Sequence, residues 1–187
     1  MEREDVTGLL LRYADGDENA LAQVLPIVYE TLLDMARRTL RRHGEIATID
    51  TSGLVHEAYL KLVDETRLGW ENRSHFLAVY SLAMRSVLVD LARRRSAQKR
   101  GGDRKRVTLD DSVIKIDEQA DQILAVHEAL EALAERSQRL ARTVECRYFA
   151  GLTEEETAKA LSVSDRTVRR DWLKAKAFLY DRLQPEA

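Results

Sequence analysis

Residues 151–176 constrain this chain more than any other stretch. Thr153 and Glu156 stand three apart in a capping box, in which each side chain satisfies a backbone N–H left open at a helix start. Ala158 and Leu161 fall on one face of the short helix that follows. Ser162, Val163 and Ser164 make a corner: Val163 is apolar enough to plug its angle, and Ser164 can cap the next helix. The corner position that often carries Gly, for a positive φ, carries Ser162 here. The second helix repeats apolar residues at Val168, Trp172, Ala175 and Leu179, and turns Arg166, Arg169, Arg170, Lys174 and Lys176 to its other faces. A small alanine, an apolar corner and a cationic second helix predict a helix-turn-helix whose second helix enters the major groove of DNA.

The net charge of −2 looks wrong for a DNA-binding chain until it is divided along the sequence. Residues 1–90 hold 10 Lys and Arg against 15 Asp and Glu, residues 91–106 hold 8 against 1, residues 107–135 hold 1 against 8, and residues 136–187 hold 11 against 8. Cationic charge is concentrated in two places, and that distribution decides which surfaces attract a polyanion. The 44% apolar share is enough for real cores, and only two Pro among 187 residues fit a helix-rich chain.

Read in order, Val6, Leu9, Leu10 and Tyr13 predict a short first helix, stopped by Asp15, Gly16 and Asp17. Asn19 can cap a second helix whose stripe is Leu21, Leu25, Val28, Leu32, Met35 and Leu40; Pro26 either begins or kinks it. Arg37, Arg38, Arg41 and Arg42 crowd its end, where they offset the helix dipole. Thr51 or Ser52 can cap a third helix with Val55, Ala58, Tyr59, Leu62 and Val63 inward. Its other side carries Leu54, His56, Glu57, Leu60 and Lys61, apolar and charged residues mixed as on a protein-binding face. A loop with Trp70, Asn72 and Arg73 precedes a long helix capped by Ser74, with Phe76, Leu77, Tyr80, Met84, Val87, Leu88 and Leu91 inward. That helix carries Arg85 and runs into Arg93, Arg94 and a basic tail suited to phosphate contact. Residues 107–121 are acidic and without periodicity, which reads as a tether. Helical spacing resumes at Ile123, Val126, His127, Leu130 and Leu133, then at Leu140, Val144, Tyr148 and Phe149, with Gly151 as the residue that ends the helix.

The fold expected is all-α: a helical domain over 1–100, a flexible charged linker over 101–120, and a helix-turn-helix domain over 121–187. No run of apolar residues reaches the ~20 needed to span a bilayer, and no basic-then-apolar signal opens the chain. The single Cys146 excludes internal disulfides and fits a reducing cytoplasm, where it serves as a small core filler. The four His have no Cys or carboxylate at ligand spacing, so neither a metal nor any other cofactor is expected. No phosphate-cradling glycine loop and no nucleophile–base order appears, so no catalysis is expected.

With both halves in view, the chain resembles a bacterial RNA polymerase sigma factor of the extracytoplasmic-function class over nearly its whole length. Arg147, Tyr148 and Phe149, leading through Gly151 into Thr153, Glu156 and Ala158, look like the approach to that family's promoter-reading helix-turn-helix. Ser164, Arg166, Thr167, Arg169 and Arg170, with Lys174 beyond, look like its recognition helix for the upstream (−35) element. Leu54, His56, Glu57, Leu60 and Lys61 resemble the helix face that grips core RNA polymerase, with His56 standing where Gln is common. Residues 76–95 resemble the helix that holds the start-proximal (−10) element. The resemblance implies that Trp70, Asn72, Arg73, Arg85, Arg93 and Arg94 serve there, as a stacking surface, an amide for a base edge and charges for the backbone. For Trp70 a place at the edge of the core remains the alternative. The implied partners are core RNA polymerase, promoter DNA and an anti-sigma factor, in the cytoplasm and without a membrane. The rival reading is a stand-alone helix-turn-helix regulator binding duplex DNA as a dimer.

Overall fold

A computed structural model describes residues 6–43, 49–65, 71–100 and 111–184, and among them there are helices and turns but no strand. Helix α1 is Val6–Ala14 and α2 is Glu18–His43, joined by a turn in which Gly16 takes φ +103°. Asp17, not Asn19, starts α2: its carboxylate accepts from the Asn19 N–H at 3.2 Å. Pro26 neither begins nor interrupts this helix, which runs through it. The carbonyl that Pro26 leaves without a partner belongs to Ala22, and both residues face water, which satisfies it.

Helix α3 is Thr51–Glu65 and α4 is Arg73–Arg100. Their starts also belong to short Asx side chains rather than to the hydroxyls of Thr51, Ser52 or Ser74. Asp50 Oδ1 accepts from the Gly53 N–H at 2.7 Å, and Asn72 Oδ1 accepts from the His75 N–H at 2.9 Å. In both cases the same residue's carbonyl takes the first helical bond, from Leu54 and Phe76 respectively, which defines the cap position. Leu10, Leu32, Met35, Leu54, Phe76, Leu77, Tyr80, Met84 and Leu88 are the fully buried centre of these four helices. The Tyr80 hydroxyl donates to the Val55 carbonyl at 2.6 Å, tying α4 to α3, and burial raises its pKa well above the ordinary tyrosine value. Helix α4 is long and apolar enough to cross a bilayer by composition, but most of its apolar stretch is buried in this core.

Helix α5, Asp111–Arg136, corrects the expected tether. Residues 101–110 lie outside the described residues, but 111–120 are already helical. Val113, Ile116 and Ala120 do carry the three-and-four spacing of a helix, but Ile114 and the charges Asp111, Lys115, Asp117 and Glu118 around them masked it. Ala120 and Ile123 are buried, and Asp117, one of the acids of the expected tether, pairs with Arg95 of α4 at 2.9 Å. Helix α6, Gln138–Val144, follows, capped by Ser137, and continues into a π-helical turn, Glu145–Phe149. Then come α7, Glu154–Leu161, and α8, Asp165–Leu183.

The core does not divide as the expected two-domain layout would have it. One apolar cluster runs from Val6 and Leu10 through α2–α4 to Ala120, Ile123, Cys146, Ala150, Leu152 and Ala160. A smaller one joins Leu130, Leu133, Ala141, Val144, Phe149 and Ala175. Helix α4 packs on α3 along one side and on α5, the π-helical turn and α7 along another. Cys146 sits in the first cluster, where burial pushes its thiol pKa up to about 12 and keeps it protonated.

Candidate nucleic-acid interface

Helices α7 and α8 meet at a tight corner. Thr153 Oγ1 accepts from the Glu156 N–H at 3.1 Å, while Glu156 Oε2 accepts from the Thr153 N–H at 2.9 Å, so both halves of the capping box form. Thr157, Ala158 and Ala160 are buried. Ser162 takes the left-handed conformation, φ 53° and ψ 44°, at the position where Gly is common. Ser164 caps α8, its hydroxyl accepting from the Thr167 N–H at 3.3 Å and lying 3.0 Å from the Thr167 hydroxyl.

Helix α8 buries Val168, Asp171 and Ala175 and half-buries Trp172 and Leu179. Turning that stripe inward leaves Arg166, Arg169, Arg170, Leu173 and Lys174 exposed together. Glu154 of α7 meets Arg169 at 2.8 Å, an exposed pair that a phosphate can replace at small cost. Asp171 was missed by sequence reasoning. It stands three residues after Val168 and four before Ala175, on the apolar stripe itself, which was the available signal. Its buried carboxylate holds Arg139 of α6 at 2.5 Å and approaches Arg170 at 3.6 Å. That hydrogen bond raises the Arg139 pKa and fixes the rotation of α8. Trp172 lies between two cations, Arg147 at 5.9 Å and Lys176 at 5.7 Å from its ring centre. An apolar groove of about 850 Å³ opens beside it, floored by Val126, Leu130, Leu179, Tyr180 and Leu183. The sequence pattern had not shown it, because it lies between α5 and α8.

On α3, His56, Glu57 and Leu60 are exposed, as expected of a binding face. Leu54 is not part of it: it is fully buried, and Val63, expected inward, is 45% exposed. The buried stripe is Leu54, Val55, Ala58 and Leu62, so the helix is rotated from the predicted pose. Lys61 is half-buried and reaches back to α4, at 2.6 Å from Asp90 Oδ2 and 2.8 Å from Ser86 Oγ.

The residues expected near α4 are dispersed. Trp70 lies outside the described residues. Asn72 caps α4, and Arg73 donates to the Thr31 hydroxyl of α2 at 3.2 Å. Arg94 is exposed. Arg93 meets His127 of α5 at 3.2 Å. Arg85 does not face solvent: its side chain is 15% exposed, 3.1 Å from Glu145 and 3.7 Å from Glu131. Burial outweighs the attraction of Arg85 and Arg142 and pushes the Glu145 pKa up to about 7. Burial, with Arg85 adding to it, lowers the pKa of His127.

The arginines at the end of α2 do more than offset its dipole. Arg42 donates to the Tyr148 carbonyl and lies 4.4 Å over the Tyr148 ring, and Arg38 donates to the Ala150 carbonyl at 3.4 Å. Gly151 follows with φ +68°, and a Cβ there would stand 2.9 Å from Arg38 Cζ. Among the described residues no three His, Cys, Asp or Glu side chains cluster as metal ligands would.

These features define an all-helical protein with an outward cationic helix face. Within that class, the family model described as ECF sigma factor matches residues 3–185, and the chain belongs to this family. Searches of curated proteins and of solved structures return no match. The protein is therefore a bacterial-type sigma factor, a DNA-binding and RNA polymerase-binding protein of transcription initiation.

Proposed function

We propose that α7 and α8 form the helix-turn-helix that reads the upstream promoter element, while the helices of residues 1–100 hold and open the start-proximal element. The observation that carries this reading is the outward row Arg166, Arg169, Arg170 and Lys174 on α8, in a chain matched by the family over 3–185. Arg is suited to guanine N7 and O6, each good pair giving ~1–3 kcal/mol of discrimination. Ser164 and Thr167, at the start of α8, lie where a recognition helix meets the groove. Trp70, Asn72, Arg73, Arg93 and Arg94 act on the start-proximal element, Trp70 by stacking and the arginines on the backbone; Arg85 joins them only by leaving Glu145 and Glu131.

Core polymerase binds the α3 face of His56, Glu57 and Leu60, which Val63 extends; Lys61 contributes by leaving Asp90. An anti-sigma factor that holds the free protein in the cytoplasm is part of this reading. Replacing Arg169 and Arg170 by Ala is expected to weaken binding to an upstream-element duplex by roughly 2–6 kcal/mol in total, with co-elution with core polymerase unchanged. Equal loss of both activities contradicts the assignment. Tight DNA binding by a dimer that never associates with polymerase favours a stand-alone regulator instead.

A further inference from the structure

Leu173 is the one large apolar side chain in the outward row of α8, and it is 64% exposed. It belongs to neither apolar cluster and does not line the groove beside Trp172. A single exposed leucine needs no explanation in itself, but its neighbours here give it one. Arg169 stands four residues before it and Arg170 three, so all three share one face of the helix. The opposite face is fixed: Val168 and Ala175 are buried, and the Asp171 carboxylate holds Arg139 at 2.5 Å. Leu173 therefore points where the arginines point, one turn further from the helix start.

The base edges of the major groove offer such a side chain one partner. A hydrocarbon cannot satisfy the donors and acceptors of guanine, adenine and cytosine, whereas it can pack against the 5-methyl of thymine. We infer that Leu173 reads a thymine methyl in the upstream element, beside the base pairs taken by Arg169 and Arg170. The inference rests on the proposed reading of α8 as the upstream reader, and adds a specificity that arginines lack. A helical turn advances about 5.4 Å and a base pair about 3.4 Å. For a helix lying along the groove, that places the thymine about one to two base pairs from the arginine contacts. Closing the two apolar groups together removes both from water, and one buried methyl-sized group contributes on the order of fourfold in affinity.

Replacing a thymine by deoxyuridine removes the 5-methyl and leaves every hydrogen-bonding group of the base pair in place. The full-length protein, assembled with bacterial core polymerase, is titrated with upstream-element duplexes carrying deoxyuridine at one thymine at a time. At one thymine in that window, the native chain is expected to bind the deoxyuridine duplex about three- to fivefold more weakly. Leu173→Ala should bind the thymine duplex more weakly by the same factor and should no longer distinguish the two. Leu173→Met, which keeps an apolar contact, should retain the distinction. Alanine is the best helix former, so Leu173→Ala at this exposed site should leave the fold intact, and an unchanged melting temperature checks this. The inference is overturned if the window holds no thymine, if no thymine there shows the effect, or if Leu173→Ala still distinguishes the duplexes. Arg169→Ala with Arg170→Ala, measured alongside, tests the reading beneath it. Weakened binding by that pair with no thymine effect overturns the role of Leu173 alone, whereas native binding by that pair removes the assignment of α8 as well.

Discussion

Gly151 carries two constraints at one residue. Its φ of +68° favours glycine, and the Arg38 guanidinium packs where a side chain would begin. Gly151→Ala is expected to cost about 1–2 kcal/mol for the left-handed backbone alone, with more from displacing Arg38; urea denaturation measures it. Ser162 has the first constraint without glycine's freedom, so Ser162→Gly is expected to leave stability unchanged or raise it by up to about 1 kcal/mol. A fall of that size would mean that its hydroxyl has a role that the backbone argument omits. These features were legible in the sequence because they are local: Thr153, Glu156, Ser164, Gly151 and Ser162 each act within a few residues of themselves. The helix starts at Asp17, Asp50 and Asn72 were equally local. They were missed because a neighbour, Asn19 beside the first, Thr51 and Ser52 beside the second and Ser74 beside the third, offered the same chemistry, and only the backbone decides which residue stands at the cap.

At the scale of single helices, rotation was the quantity the sequence left open. The stripe of α8 was read correctly because Val168, Trp172 and Ala175 stand apart from a strongly cationic remainder. Helix α3 has apolar residues on every side, at Leu54, Val55, Leu60, Leu62 and Val63, so periodicity alone admitted more than one pose. The packing of α3 against α2 and α4 chose the pose with Leu54 inside. This yields a contrast that can be measured. Leu60→Asp together with Val63→Asp should lower affinity for core polymerase with little change in melting temperature. Leu54→Asp should unfold the protein, because it buries a carboxylate without a partner. If the surface pair melts the protein as Leu54→Asp does, the exposed-face assignment is wrong.

For the whole molecule, the decisive feature is a core that continues from α1–α4 into α5–α7. Segment charges and helix spacing gave the all-helical class and the two cationic regions. They could not show that the acidic stretch after residue 110 lies against the cationic one before it, because that contact joins residues far apart in sequence. The contact also makes stability depend on pH. Glu145 is faced by Arg85 from α4, by Glu131 from α5, with His127 of α5 also on Arg85, and by Arg142 from its own segment. Its folded pKa of about 7 lies above the ordinary 4.5, so the folded chain holds this proton more tightly than the unfolded one. The stabilisation is complete below the ordinary value and is lost as pH rises through about 7. His127, lowered by burial, acts in the opposite sense and destabilises as pH falls through and below the ordinary 6.5. Denaturation between about pH 6.5 and 8 should therefore show stability falling as pH rises, and Glu145→Gln should flatten that limb.

The central claim is that this chain confers promoter choice on RNA polymerase, with α8 as the upstream reader. Transcription reconstituted from bacterial core polymerase and the full-length protein, on fragments selected from genomic DNA, tests it most directly. The expected result is initiation at defined sites sharing an upstream element, lost with Arg169→Ala and Arg170→Ala although the variant still binds polymerase. Initiation at the same sites with the double variant, or none with the native chain despite tight DNA binding, would contradict the account.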